Sequence, residues 1–140
     1  MAKTVLADTG ALVALLNPRD QYHVWLRRLT ETRDLPFPWN MSEAVLSETH
    51  FILNRDFPGG CPLLRDFLRT EALRLAFELD AQLLPVLDLM DKFVDVPMSL
   101  ADACLVRMTE ILPDPIVLTT DRDFRLYRRH SRHVVPCLMP

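Results

Sequence analysis

Apolar residues occur in two kinds of pattern, which replace one another several times along the chain. Continuous apolar runs at Thr4–Ala7 and Ile116–Thr119 predict strands that are covered on both faces. Imperfect alternation predicts another strand at Leu73–Leu79, and the apolar pair Val134–Val135 predicts a short last one. The segment Leu35–Trp39 holds too many prolines for a helix, so we interpret it as a strand or an edge segment.

Between these strands, apolar residues recur at every third or fourth position, which predicts helices with one face against a core. The predicted helices are Ala11–Leu16, Asp20–Thr32, Ser42–Asn54, Cys61–Thr70, Asp80–Phe93, Ser99–Leu112 and a short basic helix at Asp121–Arg129. This alternation of strands and helices is typical of an α/β fold with a mainly parallel central sheet and right-handed crossovers. We expect residues 1–140 to form a single domain, since their number matches the usual domain size.

Composition excludes several classes of protein. Hydrophobic residues make up 49% of the chain and charged residues 25%, which is an ordinary globular composition. Cys61, Cys104 and Cys137 form no CxxC pair, so we expect small buried side chains rather than disulfides or a zinc site. No apolar run approaches the ~20 residues of a membrane span. Because Asp8 interrupts the apolar amino-terminal stretch, we predict a cytoplasmic protein without a signal peptide.

Acidic residues stand at the ends of the predicted strands and at the starts of the predicted helices. Asp8 directly follows the first apolar strand, and Asp121 and Asp123 follow the strand at Ile116–Thr119. Asp102 lies in the first turn of its helix. Three of these acids also have a purely structural explanation as helix caps: Asp8 as an N-cap, and the pairs Ser99 with Asp102 and Thr120 with Asp123 as capping boxes.

Glu48 differs from the other acids because it lies in the middle of a helix, where no cap needs it. It falls at the border of the apolar stripe, so we expect its carboxylate to be half-buried and to require a partner or a metal ion. Glu43 is a competing candidate, but a first-turn acid is already explained by the helix dipole.

Carboxylates that converge repel one another, which raises their pKa values unless cations neutralise them. A cluster of acids without His or Cys at ligand spacing suits Mg²⁺ or Mn²⁺ rather than zinc. Such a cation orients a water, lowers its pKa and stabilises charge on a phosphate during its transfer. The pattern of acids therefore indicates an enzyme that hydrolyses phosphodiester bonds.

Four segments in this order resemble the PIN-domain family, and within it the VapC-type toxins of toxin–antitoxin pairs. They are Val5–Leu16, Ser42–His50, Met98–Cys104 and Leu118–Phe124, and together they extend over nearly the whole chain. The resemblance implies a three-layer α/β/α sandwich, a single-strand ribonuclease activity, and an acidic quartet that binds Mg²⁺ or Mn²⁺. It further implies a homodimer and a small antitoxin protein whose tail occupies the groove.

Carried over by position, the resemblance assigns catalytic and metal-binding roles to four acids and lesser roles to their neighbours. The quartet would be Asp8, Glu48, Asp102 and Asp121, with Asp123 as an auxiliary metal-binding acid and Thr9 and Thr119 as flanking polar residues.

Basic residues cluster directly after the last of these acids. Arg122, Arg125, Arg128 and Arg129 could contact RNA phosphates there, although a solvated helix face is the simpler explanation. The net charge of −3 argues at first against a nucleic-acid partner. Without the four quartet acids, however, the chain has 16 basic residues against 19 − 4 = 15 acidic ones, so the overall charge no longer opposes an RNA substrate.

Other function classes remain open at this point. A phosphate-accepting receiver domain is nearly excluded, because it needs a lysine at a late strand end and neither Lys3 nor Lys92 follows a strand end near Asp121. A binding module that keeps the fold without catalysis, a metal-dependent phosphatase, and a PIN nuclease that processes RNA outside a toxin–antitoxin pair are the alternatives.

Overall fold

A computed structural model describes residues 3–32 and 35–140 of the chain. Its strands are β1 (Thr4–Ala7), β2 (Trp39–Met41), β3 (Leu73–Leu75), β4 (Pro115–Leu118), β5 (Arg128–Arg129), β6 (His133–Val134) and β7 (Cys137–Leu138). Its α-helices are α1 (Thr9–Leu16), α2 (His23–Thr30), α3 (Glu43–Asp56), α4 (Gly60–Arg69), α5 (Leu79–Lys92) and α6 (Leu100–Ile111), and a 3₁₀ turn covers Arg122–Arg125.

The central sheet is parallel throughout and runs in the order β3-β2-β1-β4-β7. Helices cover it to give the three-layer α/β/α sandwich, so the predicted fold class is confirmed. The chain first adds strands on one side of β1 and then places β4 on the other side. The carboxyl ends of β1 and β4 therefore form a topological switch point, where open α/β sheets usually bind their ligands.

The core lies around β1 and β4, and the two apolar runs that predicted these strands are almost completely buried. Helix α1 is also buried over most of its surface and packs against α2, α3 and α4. The helices α5 and α6 pack against each other, and α6 also contacts β4. Strand and helix at the amino terminus are thus internal elements, as the sequence predicted.

The predicted helix at Asp121–Arg129 is wrong. Only a 3₁₀ turn forms at Arg122–Arg125, and the arginines that follow pair as β5 with β6 in an antiparallel hairpin. Phe124, within the 3₁₀ turn, and Tyr127, two residues after its end, are both completely buried. His130 and Ser131, which form the hairpin turn, have positive φ angles of 49° and 69° and so exclude a continuing helix.

Three predicted strands are misplaced. The strand expected at Leu35–Trp39 begins only at Trp39, because Pro36 and Pro38 have no N–H to donate to a neighbouring strand. The strand expected at Leu73–Leu79 ends at Leu75, and α5 begins at Leu79. Val134 belongs to the hairpin, whereas the edge strand of the main sheet is β7, which the sequence analysis missed.

The cysteines match their prediction in part. None of the three forms a disulfide; Cys104 is buried, and Cys61 and Cys137 are half-buried. In the described part of the chain, the helices are too short or too polar to cross a membrane.

Candidate active site

Asp8 lies at the switch point, directly after β1, and its side chain is only 5% exposed. Its backbone N–H donates to Leu118 O at 3.0 Å, which ties it to the end of β4. One carboxylate oxygen accepts the Thr9 N–H at 2.7 Å, which makes Asp8 the N-cap of α1. The other oxygen accepts the Thr119 hydroxyl at 2.6 Å. Asp8 is thus both a helix cap, as predicted, and a buried carboxylate held between two strands.

The end of β4 brings a second acid to the same place. The Thr119 hydroxyl oxygen accepts the N–H of Asp121 at 3.0 Å, so Thr119 is bonded to both Asp8 and Asp121. Asp121 in turn caps the 3₁₀ turn by accepting the Asp123 N–H at 2.9 Å. The capping box predicted for Thr120 and Asp123 is therefore wrong, because Asp121 takes the capping position.

A close approach between α1 and the segment after β4 brings these acids together. A Cβ atom at Gly10 would clash with the hydroxyl oxygen of Thr120. Glycine at this position therefore lets the first turn of α1, which Asp8 caps, lie directly against the segment that carries Asp121.

Glu48 reaches this region from α3, where its carboxylate accepts the Thr9 hydroxyl at 3.0 Å. The helix begins at the cap Ser42, whose hydroxyl accepts the Val45 N–H. The prediction that Glu48 is half-buried is wrong: the residue is exposed, because it lies on the outer side of the apolar stripe. Glu43 is exposed in the first turn of the same helix.

Asp102 comes to the site from the first turn of α6. It forms the predicted capping box with Ser99: the Asp102 N–H donates to the Ser99 hydroxyl, and the Ser99 N–H donates to the Asp102 carboxylate, both at 3.1 Å. The same carboxylate oxygen lies 3.2 Å from the hydroxyl of Tyr127. The sequence analysis did not single out Tyr127, although a tyrosine in an apolar segment usually needs a partner for its hydroxyl.

Burial and mutual repulsion dominate the electrostatics of the acids. The pKa of Asp8 is raised to about 7: burial is the largest cause, the charges of Asp102 and Asp121 add to it, and the hydrogen bonds from Thr119 and Thr9 act in the opposite direction. Burial and the charge of Asp121 also raise the pKa of Asp102. The ion pairs of the described residues involve none of the five acids. Negative charge is thus gathered at the switch point, and no ion pair of the described residues neutralises it.

The chemistry of this donor set fits a divalent cation with a preference for oxygen. It consists of carboxylates with hydroxyls beside them, and Mg²⁺ and Mn²⁺ favour such ligands. Among residues 3–32 and 35–140, however, no three acidic, His or Cys side chains are arranged closely enough to enclose a metal ion. Asp121 lies near enough to Asp8 and Asp102 for its charge to raise the pKa of both, but these described acids do not form a closed coordination shell.

The predicted RNA-contacting arginines divide into two pairs. Arg122 and Arg125 are exposed on the 3₁₀ turn next to Asp121 and Asp123. Arg128 is half-buried and donates to the carbonyl oxygens of Arg125 and Tyr127, at 2.7 and 2.9 Å. Arg129 is also half-buried and donates to the carbonyl oxygen of Thr109 on α6. Of the four arginines, Arg122 and Arg125 are therefore the two whose guanidinium groups do not donate to backbone carbonyls of the described residues.

The comparison with protein families decides the family of this chain. The PIN domain family matches residues 5–129, a range that contains all five acids. The chain belongs to the PIN domain family. The resemblance inferred from the four segments is confirmed at the level of this family, and the PIN domain occupies nearly the whole chain.

A solved structure supports the PIN fold independently. The crystal structure of Mycobacterium tuberculosis VapC20, described as a sarcin-ricin loop cleaving toxin, matches with a TM-score of 0.61. The two sequences are 22% identical over the match, which covers 81% of this chain and 86% of the other. Among curated proteins, no sequence matches this PIN domain.

Proposed function

We propose that this PIN domain is an endoribonuclease that depends on Mg²⁺ or Mn²⁺, and that it is the toxin of a toxin–antitoxin pair. The observation that carries the nuclease proposal is the cluster of Asp8, Asp102 and Asp121 at the switch point, none of which takes part in an ion pair of residues 3–32 and 35–140. A buried carboxylate costs free energy when no opposite charge lies beside it, even if its oxygens accept hydrogen bonds. The cluster is therefore better explained by a bound cation than by a structural role.

Asp8, Glu48, Asp102 and Asp121 would hold the cation, with Asp123 as an auxiliary ligand. When bound, the cation would lower the pKa of a water and stabilise charge on the phosphate. The chain's own residues arrange this site: Thr119 keeps Asp8 and Asp121 adjacent, and Thr9 links Asp8 to Glu48. In this proposal Thr9 and Thr119 are the flanking polar residues that the family resemblance implies.

Glu48→Gln is expected to lower RNA cleavage about 10- to 100-fold, because it removes one ligand charge from the exposed side of the site. Glu43→Gln provides a matched control, since Glu43 is an exposed glutamate on the same helix. Initial rates on an RNA oligonucleotide in Mn²⁺, with EDTA blanks, measure both. Equal rates for the two variants would remove Glu48 from the proposed site.

RNA would reach the acids along the 3₁₀ turn, where Arg122 and Arg125 are exposed. Replacing both by Ala is expected to raise KM for RNA about 3- to 10-fold with little change in kcat. The slope of the logarithm of the RNA-binding constant against the logarithm of salt concentration should become less steep by about 0.7 per lost phosphate contact. Arg65→Ala on α4 serves as the control for a lost exposed arginine. A double variant with unchanged RNA affinity at low salt would contradict this path for the substrate.

The toxin proposal is supported by the structural likeness to VapC20, which is itself described as a toxin that cleaves the sarcin-ricin loop. In this proposal the PIN domain acts in the cytoplasm as a homodimer and is inhibited by a small cognate antitoxin.

Induced expression of the wild-type protein should arrest growth, and expression of the Asp8→Asn variant should not. Sequencing the 5′ ends of RNAs cut by the purified protein would identify the target. Cleavage at RNA maturation sites without growth arrest would instead favour a processing nuclease.

A further inference from the structure

Tyr127 is a buried tyrosine whose hydroxyl contacts Asp102, and neither the family resemblance nor the sequence assigns it to the site. Its side chain is 0% exposed. The ring packs edge-on against Phe93 and Phe124, with centroid distances of 5.5 and 5.2 Å. Packing fixes the ring in this way, so the position of its hydroxyl oxygen is also fixed.

The hydroxyl lies at the start of α6, between two acceptors from one short segment. Its oxygen is 2.7 Å from the carbonyl oxygen of Pro97 and 3.2 Å from one carboxylate oxygen of Asp102. A tyrosine hydroxyl has a single proton, so these two acceptors share one donor. Burial and the neighbouring acids raise the pKa of Tyr127 well above its usual value, so the proton is retained.

The two oxygens of the Asp102 carboxylate have different surroundings. The oxygen that faces Tyr127, Oδ2, also accepts the Ser99 N–H at 3.1 Å. Oδ2 therefore accepts from two donors. Among the described residues, no side-chain hydrogen bond reaches Oδ1. A carboxylate held through one oxygen presents the other as a ligand in a fixed direction.

Tyr127 also connects two acid-bearing segments. It follows the 3₁₀ turn that carries Asp121 and Asp123, and its own N–H donates to the Asp123 carbonyl at 3.2 Å. Its hydroxyl reaches the first turn of α6, which carries Asp102. The side chain therefore sets the distance between Asp102 and the acids that follow β4.

We propose that Tyr127 is a positioning residue that holds Asp102 through Oδ2, so that Oδ1 faces the cation site beside Asp121. The inference rests on the proposed function, because it assigns Asp102 to the cation. Tyr127 does not contact the reacting atoms in this proposal; it acts through Asp102.

Mn²⁺ binding by calorimetry tests the inference on four forms of the full chain: wild type, Asp102→Asn, Tyr127→Phe and Thr109→Val. The phenylalanine keeps the ring packing and removes only the hydroxyl. Thr109→Val is a matched control, since the buried Thr109 hydroxyl also donates to a backbone carbonyl, that of Val106, at 2.6 Å within α6. We expect Tyr127→Phe to weaken Mn²⁺ binding about 10-fold or more and Thr109→Val to change it less than about twofold. We also expect Tyr127→Phe to lower kcat with little change in KM for RNA.

The outcomes separate the two proposals. If Asp102→Asn binds Mn²⁺ as wild type does, the proposed cation site fails. If Asp102→Asn loses binding and Tyr127→Phe keeps the wild-type affinity, the cation site stands and the positioning role of Tyr127 is wrong. Equal losses in Tyr127→Phe and Thr109→Val would show a general structural effect and also overturn it.

A second measurement needs no loss of the hydroxyl. The chain has two tyrosines, so fluorotyrosine in a Tyr22→Phe background gives a single fluorine resonance from Tyr127. We expect Mg²⁺ to shift this resonance, and the shift to disappear with Asp102→Asn. A resonance that Mg²⁺ does not move would contradict the proposal.

Discussion

Asp8→Asn is expected to lower RNA cleavage by at least about 1,000-fold, which corresponds to about 4 kcal/mol of transition-state stabilisation. Asp8 is the most deeply buried of the acids, and its two oxygens are fixed by Thr9 and Thr119. An asparagine has the same shape, so the fold is retained while the charge that attracts the cation is lost. A buried charge attracts a cation more strongly than an exposed one because water screens it less. The loss of cleavage rate in Asp8→Asn should therefore exceed that in Glu48→Gln.

Asp114→Asn is the matched control for this loss of charge. Asp114 directly precedes β4, at the opposite end of the strand from Thr119, and pairs with Lys3 on the surface at 2.9 Å. Both variants replace one aspartate by asparagine, so the difference between them reports on the position at the switch point. Single-turnover cleavage in Mg²⁺, together with Mn²⁺ affinity, measures the difference. Cleavage by Asp8→Asn at the wild-type rate would refute the nuclease site.

The residue positions that the sequence predicts correctly are those that follow from the sheet. The continuous apolar runs of β1 and β4 identify two strands buried on both faces. Parallel strands of one sheet end at the same edge, so residues that follow them meet there. This argument predicts the proximity of Asp8 and Asp121 without any knowledge of the connections between them.

Residues positioned by helix rotation or by loops could not be predicted in the same way. The exposure of Glu48 depends on how α3 turns about its axis against the core, and a residue at the border of the apolar stripe can fall on either side. The partner of the Tyr127 hydroxyl depends on where α6 begins relative to the 3₁₀ turn. The run of arginines after Asp121 fits a helix by spacing alone, and the buried Phe124 and Tyr127 override that preference.

The metal-free protein is expected to lose stability as the pH rises from about 4 to about 7. Burial raises the pKa of Asp8 from 3.8 to about 7 in the folded state, so across this range the folded protein binds a proton that the unfolded chain has released. Stability from this proton is complete below the unfolded pKa and is lost as the pH passes the folded pKa. At 1.36 kcal/mol per pKa unit, the upper bound of the loss is about 4 kcal/mol.

Asp8→Asn should remove most of this dependence, because an amide is neutral in both states. The variant is therefore expected to match wild type near pH 4 and to be more stable at pH 8, while Asp102, whose pKa burial also raises, leaves a smaller slope of the same sign. Urea unfolding in EDTA at several pH values measures the two curves, and parallel curves would contradict the assignment to Asp8. Mg²⁺ at pH 8 should stabilise wild type more than the variant, because a cation that binds only the folded state shifts the equilibrium towards it. One substitution would then stabilise the metal-free fold and abolish cleavage, as expected if the charge that burial penalises is the charge that binds the cation.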